Sequence, residues 1–488
     1  MNRMRVGIVG GGLGGLLTAY MLERRSPRPC DITIFEASAR LGGKIITRQF
    51  ESAPVRYEAG AAELYDYSQL GPDPLRELIS ELGLSVTNID GRAVIIGDRI
   101  LRSQTDIARE FGPSALNALN KFNSMARAAI SPAEYYESDW KADNKDSLSR
   151  ASFRDLLAKV GDDNVRRYVE VAVHSDLATE PHLTNAMYGL QNYLMNEADY
   201  MRLYVIDGGI ERLPRALAER IGAQVRLNHP VTKIERGADR TYRISSRSHG
   251  EARSDNFDYV VVALPNNWLP LVNFGGATLG DAMHRHHKFY DYPAHYLRVS
   301  VLFERPFWRT QLRESYFMLD AFGGCCVYDE SSRIADSPYG VLGWLLAGDA
   351  ALAMSNLADA VLIDAVLDSL PTSLRDDARQ YLREGRVHRF AGAVNGLPGG
   401  YPAREPDSRH LPEPENHREL FVVGDYLFDS TINGVLDSAD VVAEFIADDL
   451  RNQARLSVAS TPAAATQVQA TEPLPEMPVA AAARAEAS

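Results

Sequence analysis

Residues Met4 to Glu36 read MRVGIVGGGLGGLLTAYMLERRSPRPCDITIFE, and the order of their parts decides the fold. Val6-Gly7-Ile8-Val9 is a short apolar run that predicts a strand. Gly10-Gly11-Gly12-Leu13-Gly14-Gly15 follows, with Gly10, Gly12 and Gly15 in the spacing G-x-G-x-x-G. Leu16 to Leu22 is apolar at helical spacing, and Ile32-Thr33-Ile34-Phe35 predicts a second strand ending at the acid Glu36. Strand, glycine turn, helix, strand and acid in this order are the fingerprint of a dinucleotide-binding unit. Gly10 permits the tight turn, Gly12 lets a pyrophosphate lie on bare backbone, and Gly15 lets the helix pack close to the sheet. The helix N-terminus offers free N–H groups and the positive end of its dipole. Glu36 lies about 20 residues beyond the last glycine, where a carboxylate accepts ribose hydroxyls and repels a 2′-phosphate.

The next segment is Ala37-Ser38-Ala39-Arg40-Leu41-Gly42-Gly43-Lys44. Its R-x-G-G pattern resembles the one that follows the ribose acid in the flavin amine oxidase superfamily. That group includes monoamine and polyamine oxidases, L-amino-acid oxidases, protoporphyrinogen oxidase and carotenoid desaturases. The resemblance implies that Leu13, Gly14, Ala37, Arg40, Gly42, Gly43 and Lys44 lie along FAD, with the Arg40 guanidinium as a fork for the diphosphate. Further along, Glu58-Ala59-Gly60-Ala61-Ala62-Glu63 resembles the family's D-x-G-A segment, with Glu58 at the acidic position. There Gly60, Ala61, Ala62 and Glu63 are expected close to the flavin ring. Val231 matches a valine whose backbone bonds the adenine. Ala263 ends the buried run Phe257 to Pro265, which matches a family strand finishing in small-x-Pro. Gly424-Asp425 and Gly434-Val435-Leu436 resemble the C-terminal FAD motif. Asp425 is expected on the ribityl or phosphate side, and the backbone at Val435 and Leu436 at the start of a helix facing the ring.

The resemblance implies an α/β fold: a Rossmann-like FAD-binding domain with an interleaved α+β substrate-binding domain of mixed sheet and helices. Residues 1–71, 201–281 and 391–454 are assigned to the FAD-binding domain, and 72–200 and 282–390 to the substrate domain. Residues 72–200 read mostly as helices, with amphipathic stretches at Pro74–Leu84, Asp106–Ile130 and Phe153–Val173. Their tyrosines, Tyr135, Tyr136, Tyr168, Tyr188, Tyr193 and Tyr200, read as core packing. From residue 455 to 488 the chain is rich in Ala, Pro, Thr, Val and Glu and reads as a disordered tail.

The 488 residues suffice for two or three domains, and 45% hydrophobic with 24% charged content is ordinary for a globular protein. A net charge of −13 argues against nucleic acid or an anionic membrane as partner. Cys30, Cys325 and Cys326 form no disulfide framework and no metal-ligand spacing. His284-Arg285-His286-His287-Lys288 fits no zinc signature and reads as a solvated helix end. No metal, signal peptide or membrane span is expected, and the expected location is cytoplasmic.

Two departures from the family pattern bear on chemistry. Many amine oxidases carry a lysine near flavin N5 at the start of a substrate-domain strand, and Arg298 aligns there. Arg298 is the catalytic candidate, able to fork a substrate carboxylate; a surface strand-edge position is the competing reading. The tyrosine pair that flanks the amine in monoamine oxidases would fall near Val435 and Gly396–Leu397, and neither place is aromatic. Tyr401 lies close by in sequence. The resemblance thus implies an FAD-dependent oxidoreductase. It oxidises a C–N bond of a small amine or amino-acid-like substrate by hydride transfer to N5, giving an imine. The electron acceptor, O2 or another oxidant, and a homodimeric state are left open. The alternatives are a carbon–carbon desaturase of the carotenoid type, a non-catalytic binding protein like the GDP-dissociation inhibitors, and an NAD-dependent dehydrogenase.

Overall fold

A computed structural model describes residues 3–137, 147–334, 337–399, 404, 406–428 and 430–459. The opening fingerprint forms strand Met4–Val9, helix Leu13–Arg25 and strand Cys30–Phe35. These strands sit in a five-stranded parallel sheet ordered Gln224–Arg226, Cys30–Phe35, Met4–Val9, Tyr259–Val262 and Leu420–Val422. Val9 is in register with both Phe35 and Val262, so three strands end at one level.

The strands are continuously apolar because both faces of the sheet are covered. Ile8, Ile34 and Val261 pack against the helix Leu13–Arg25 and the closing helix Ile432–Ala459. Val9, Phe35, Val260 and Val262 face a second sheet, whose Ile234, Tyr242, Ile244 and Phe257 complete that core. Gly7 sits where the two sheets approach: a Cβ there would lie 2.5 Å from the Ile244 side chain.

The other half is built on a seven-stranded sheet ordered Leu382–Asn395, Pro293–Phe303, Gly340–Ala347, Cys325–Asp329, Tyr316–Leu319, Ala93–Ile96 and Arg99–Leu101. One face packs on Pro113–Ala129, Asp163–Leu177 and Ala186–Leu194 through Phe122, Val169, Leu190 and Tyr328. The other packs on Asp359–Ser369 and Thr372–Tyr381 through Leu362, Trp308 and Trp344.

Several local expectations change. Three short strands, Val86–Ile89, Ala93–Ile96 and Arg99–Leu101, interrupt the stretch read as mostly helical. Gly97, at φ +60°, makes the turn between the last two. Asp106–Ile130 is two helices, Gln104–Phe111 and Pro113–Ala129, broken at Gly112 with φ +89° and restarted by Pro113. Phe153–Val173 is likewise split, and Asp162 caps Asp163–Leu177 by accepting from the Asn164 and Val165 N–H groups.

The histidine cluster is not a uniformly solvated helix end. In Ala277–Phe289, His286 is fully buried, bonds the Tyr426 hydroxyl at 3.1 Å, and is held down to about 3 by burial. The closing helix continues to Ala459, past the position at which composition places the tail; residues 460–488 lie outside the described residues. Among the described residues no helix is long and apolar enough to cross a membrane.

Candidate active site

The site grows from the ends of the parallel strands. Gly10 has φ +113°, and a Cβ there would lie 2.3 Å from the Ala263 carbonyl oxygen. A Cβ on Gly15 would lie 2.1 Å from the Gly10 carbonyl oxygen. These two glycines are required by the turn itself. Gly12 differs: a Cβ there meets nothing closer than Gly43 Cα at 3.8 Å. Gly12 and Gly42 pair as an isolated bridge, and the Gly42 N–H donates to Gly11 at 2.9 Å. Gly11 and Gly12 therefore meet Gly42 and Gly43 backbone to backbone. Gly12 caps the first helix with no side-chain bond, so Leu13, Gly14 and Gly15 begin it without a side-chain cap.

Glu36 closes one side. Its Oε2 accepts from Gly11 N and its Oε1 from Ser38 N, both at 2.8 Å, with Ala37 in the intervening turn. The His229 N–H donates to the Glu36 carbonyl at 2.8 Å, which brings the loop leading to Val231 beside it. Ala263, Val423 and Val435 surround Gly14. The Leu436 side chain is buried in the core under the opening helix. Arg40, expected as a diphosphate fork, donates to the Leu41, Gly43 and Ile45 carbonyls of its own loop.

Lys44 joins three segments. Its Nζ pairs with Asp425 and donates to the Ala393 carbonyl at 2.8 Å. Its carbonyl accepts from Ala61 N at 3.3 Å and would lie 2.0 Å from a Cβ on Gly60. Buried Ala62 and half-buried Glu63 continue that segment. Gly424 N donates to Ser438 Oγ at 3.0 Å, and Gly434 N to Thr431 Oγ1 at 3.0 Å, so Thr431 caps the closing helix.

Arg298 lies at the seam between the two halves, at 0% exposure, which removes the surface strand-edge reading. Its strand is flanked on both sides, with His388 opposite on one neighbour and Leu345 on the other. Its Nη2 pairs with Glu330, its Nε donates to the Glu58 carbonyl, and Glu330 Oε2 accepts from Glu58 N at 2.7 Å. The ion pair thus grips both sides of the Glu58 backbone. The Glu58 carboxylate accepts from Thr47 Oγ1 at 2.8 Å and Ile210 N at 2.9 Å. Burial pushes its pKa up to about 7 even so. Arg298 Nη1 is buried without a protein partner.

Beside this seam is a pocket that is partly open to solvent. Tyr65, Asp176, Tyr188, Gln191 and Tyr296 line it, and Asn395, Ser430 and Thr431 connect it to the start of the closing helix. Tyr67 and Tyr135 also line it, so Tyr135 and Tyr188 are wall residues as well as core. Tyr401 lies outside the described residues.

The family described as flavin containing amine oxidoreductase matches residues 13–447. The chain belongs to this family. It is 25% identical over 285 residues to amine oxidase [flavin-containing] A of Canis lupus familiaris, covering 55% of this chain and 50% of that protein. It is also 25% identical over 332 residues to the flavin-dependent L-tryptophan oxidase RebO of Lentzea aerocolonigenes, covering 62% and 66%. The chain spans about half the length of the amine oxidase A proteins it matches. Among solved structures, putrescine oxidase bound to putrescine matches with TM-score 0.69 at 17% identity, over 91% of this chain and 99% of that one. Cyclohexylamine oxidase from Brevibacterium oxydans IH-35A matches with TM-score 0.68 at 18%, over 92% and 100%.

FAD is the cofactor of this flavin amine oxidoreductase, and the residues present fit it. A Cβ on Gly12 would meet nothing closer than 3.8 Å, so a group can lie against its bare backbone. The first helix begins without a side-chain cap, which suits an anion, and the Glu36 carboxylate lies beside Gly11, which suits ribose hydroxyls. Residues that sequence reasoning passed over are Tyr65, Asp176, Gln191 and Tyr296. Only the alternation of Tyr65 and Tyr67 after the Gly60–Glu63 segment was a signal in the sequence.

Proposed function

We propose that this chain oxidises a C–N bond of a small amine, producing an imine that water later hydrolyses. The observation that carries this reading is the aromatic and polar pocket whose lining includes Thr431, the cap of the closing helix. When bound, FAD supplies the hydride acceptor. The protein orients the substrate between aromatic walls, limits water, and keeps the Glu58–Glu63 segment fixed through the Arg298–Glu330 grip. The reacting nitrogen must be neutral, because an ammonium has no lone pair to expel the hydride. Arg298 is proposed to face the ring through Nη1, its unpartnered atom.

The walls argue against a polyene substrate. Asp176, Gln191, Asn192 and Asn395 line the pocket together with tyrosine hydroxyls, where a desaturase of long hydrocarbons needs an apolar tunnel. The division into an FAD-binding part (1–71, 201–281 and 391–454) and a substrate part (72–200 and 282–390) belongs to the same proposal. Anaerobic mixing with amines, amino acids and polyenes tests it. Flavin bleaching by amines is expected, and bleaching by polyenes alone would overturn it. The rate of aerobic reoxidation then separates oxidase from dehydrogenase.

A further inference from the structure

Of the described residues that line the pocket, Asp176 alone carries a carboxyl group. Its Oδ2 is buried without a protein partner. Gln191, on the neighbouring helix and only 6% exposed, leaves Oε1 without one as well. Glu63, whose charge acts on Asp176, has a buried, unpartnered Oε2. Two donors on the same walls are already used. The Tyr296 hydroxyl donates to the Ser175 carbonyl at 2.9 Å, and the Asn192 amide donates to the Tyr188 carbonyl at 2.8 Å.

Two buried acceptors on the pocket wall, Asp176 Oδ2 and Gln191 Oε1, therefore lack donors, and Glu63 lies near enough for its charge to act on Asp176. Each such deficit destabilises the empty site. Burial and then the Glu63 charge raise the proton affinity of Asp176, while a hydrogen bond from Ser175 opposes them. A ligand that brings N–H donors and a positive charge answers both deficits at once. A carboxylate would instead set acceptor against acceptor. The faces of Tyr65, Tyr188 and Tyr296 add surfaces that attract a cation.

We propose, resting on the amine-oxidation reading, that Asp176 and Gln191 form the docking site for a protonated nitrogen of the substrate. A nitrogen held there has no lone pair. The nitrogen at the oxidised C–N bond is therefore a different one, and the substrate carries at least two: a diamine or a longer polyamine. Asp176 acts by binding and positioning.

Calorimetric titration of the holoprotein with butylamine, 4-aminobutanoate and a series of α,ω-diamines tests the proposal. The best diamine is expected to bind at least about tenfold tighter than butylamine, and 4-aminobutanoate not to bind. Asp176→Asn should bring the diamine down to the butylamine level. Because it removes an unpaired buried carboxylate, the same variant should melt no lower than the parent. Gln191→Met should weaken the diamine by a smaller factor. Equal affinity for diamine and butylamine in the parent, a diamine preference that survives Asp176→Asn, or tight 4-aminobutanoate binding would each overturn the proposal. A diamine preference without flavin bleaching keeps the docking site and removes the oxidation reading. Bleaching by amines without a diamine preference does the reverse.

Discussion

Lys44 and Asp425 are 381 residues apart in the chain and form an ion pair beneath the loop that carries Gly42 and Gly43. Asp425 keeps 10% of its side-chain surface and Lys44 35%, so the pair is neither dry nor fully screened. Lys44→Met should lower stability by about 1–2 kcal/mol, the value of a buried pair discounted for the exposed lysine. Lys44→Met combined with Asp425→Asn should recover part of it. The urea midpoint reads both, and an unchanged midpoint in the single variant would show that the pair is idle.

Gly12 and Gly15 should part company when each becomes alanine. A methyl at Gly15 meets the Gly10 carbonyl at 2.1 Å and must disturb the turn, so the apoprotein should melt lower. A methyl at Gly12 has 3.8 Å to its nearest neighbour and should leave the apoprotein melting point in place. It covers the bare backbone on which the pyrophosphate is proposed to lie, so the purified variant should carry little yellow colour. A fully loaded Gly12→Ala protein would move the phosphates elsewhere.

Arg298→Met leaves Glu330, 2% exposed, as a buried charge without its cation. The expected loss is about 3–5 kcal/mol. Adding Glu330→Gln should restore more than half, since the neutral amide no longer needs the guanidinium and still accepts from Glu58 N. Arg298→Lys retains charge but cannot reach the Glu58 carbonyl and Glu330 together in the same way. A change in its flavin reoxidation rate larger than its loss of stability would place Nη1 at the ring, and an unchanged rate would leave Arg298 with the grip alone.

Glu58 gives a pH signature. Its carboxyl titrates near 4.5 when free and is pushed up to about 7 in the fold, chiefly by burial. Its contribution to stability is complete below about 4.5 and is lost as pH rises through about 7, roughly 3 kcal/mol in all. Glu58→Gln should flatten that slope and melt relatively higher at pH 8 than at pH 5. A slope unchanged from the parent would assign the alkaline loss to other groups.

The strand–turn–helix–strand opening was fully legible because each step rests on local rules: glycine where φ is positive, apolar runs where both faces are covered. The same rules made Gly424-Asp425 readable as a strand end. The bonds of Arg40 to three carbonyls of its own loop were not, since a fork that braces a turn leaves no mark in the sequence. His286 was misjudged because its burial depends on Tyr426, which lies 140 residues further on. Asp176 carried no signal at all: an acid in an amphipathic helix reads as solvated, and its pocket exists only once Tyr65, Gln191 and Tyr296 arrive from separate elements.

The seven-stranded sheet has a consequence for how the polypeptide is made. Ala93–Ile96 waits for Tyr316–Leu319, and Pro293–Phe303 waits for Leu382–Asn395, while the parallel sheet is incomplete until Leu420–Val422 emerges. Neither half is a contiguous stretch of chain. On a ribosome both must finish late and nearly together, with apolar strand edges open in the meantime. Expression of either half as a single fragment should give insoluble material, and the dependence on folding helpers should fall at the last hundred residues of synthesis.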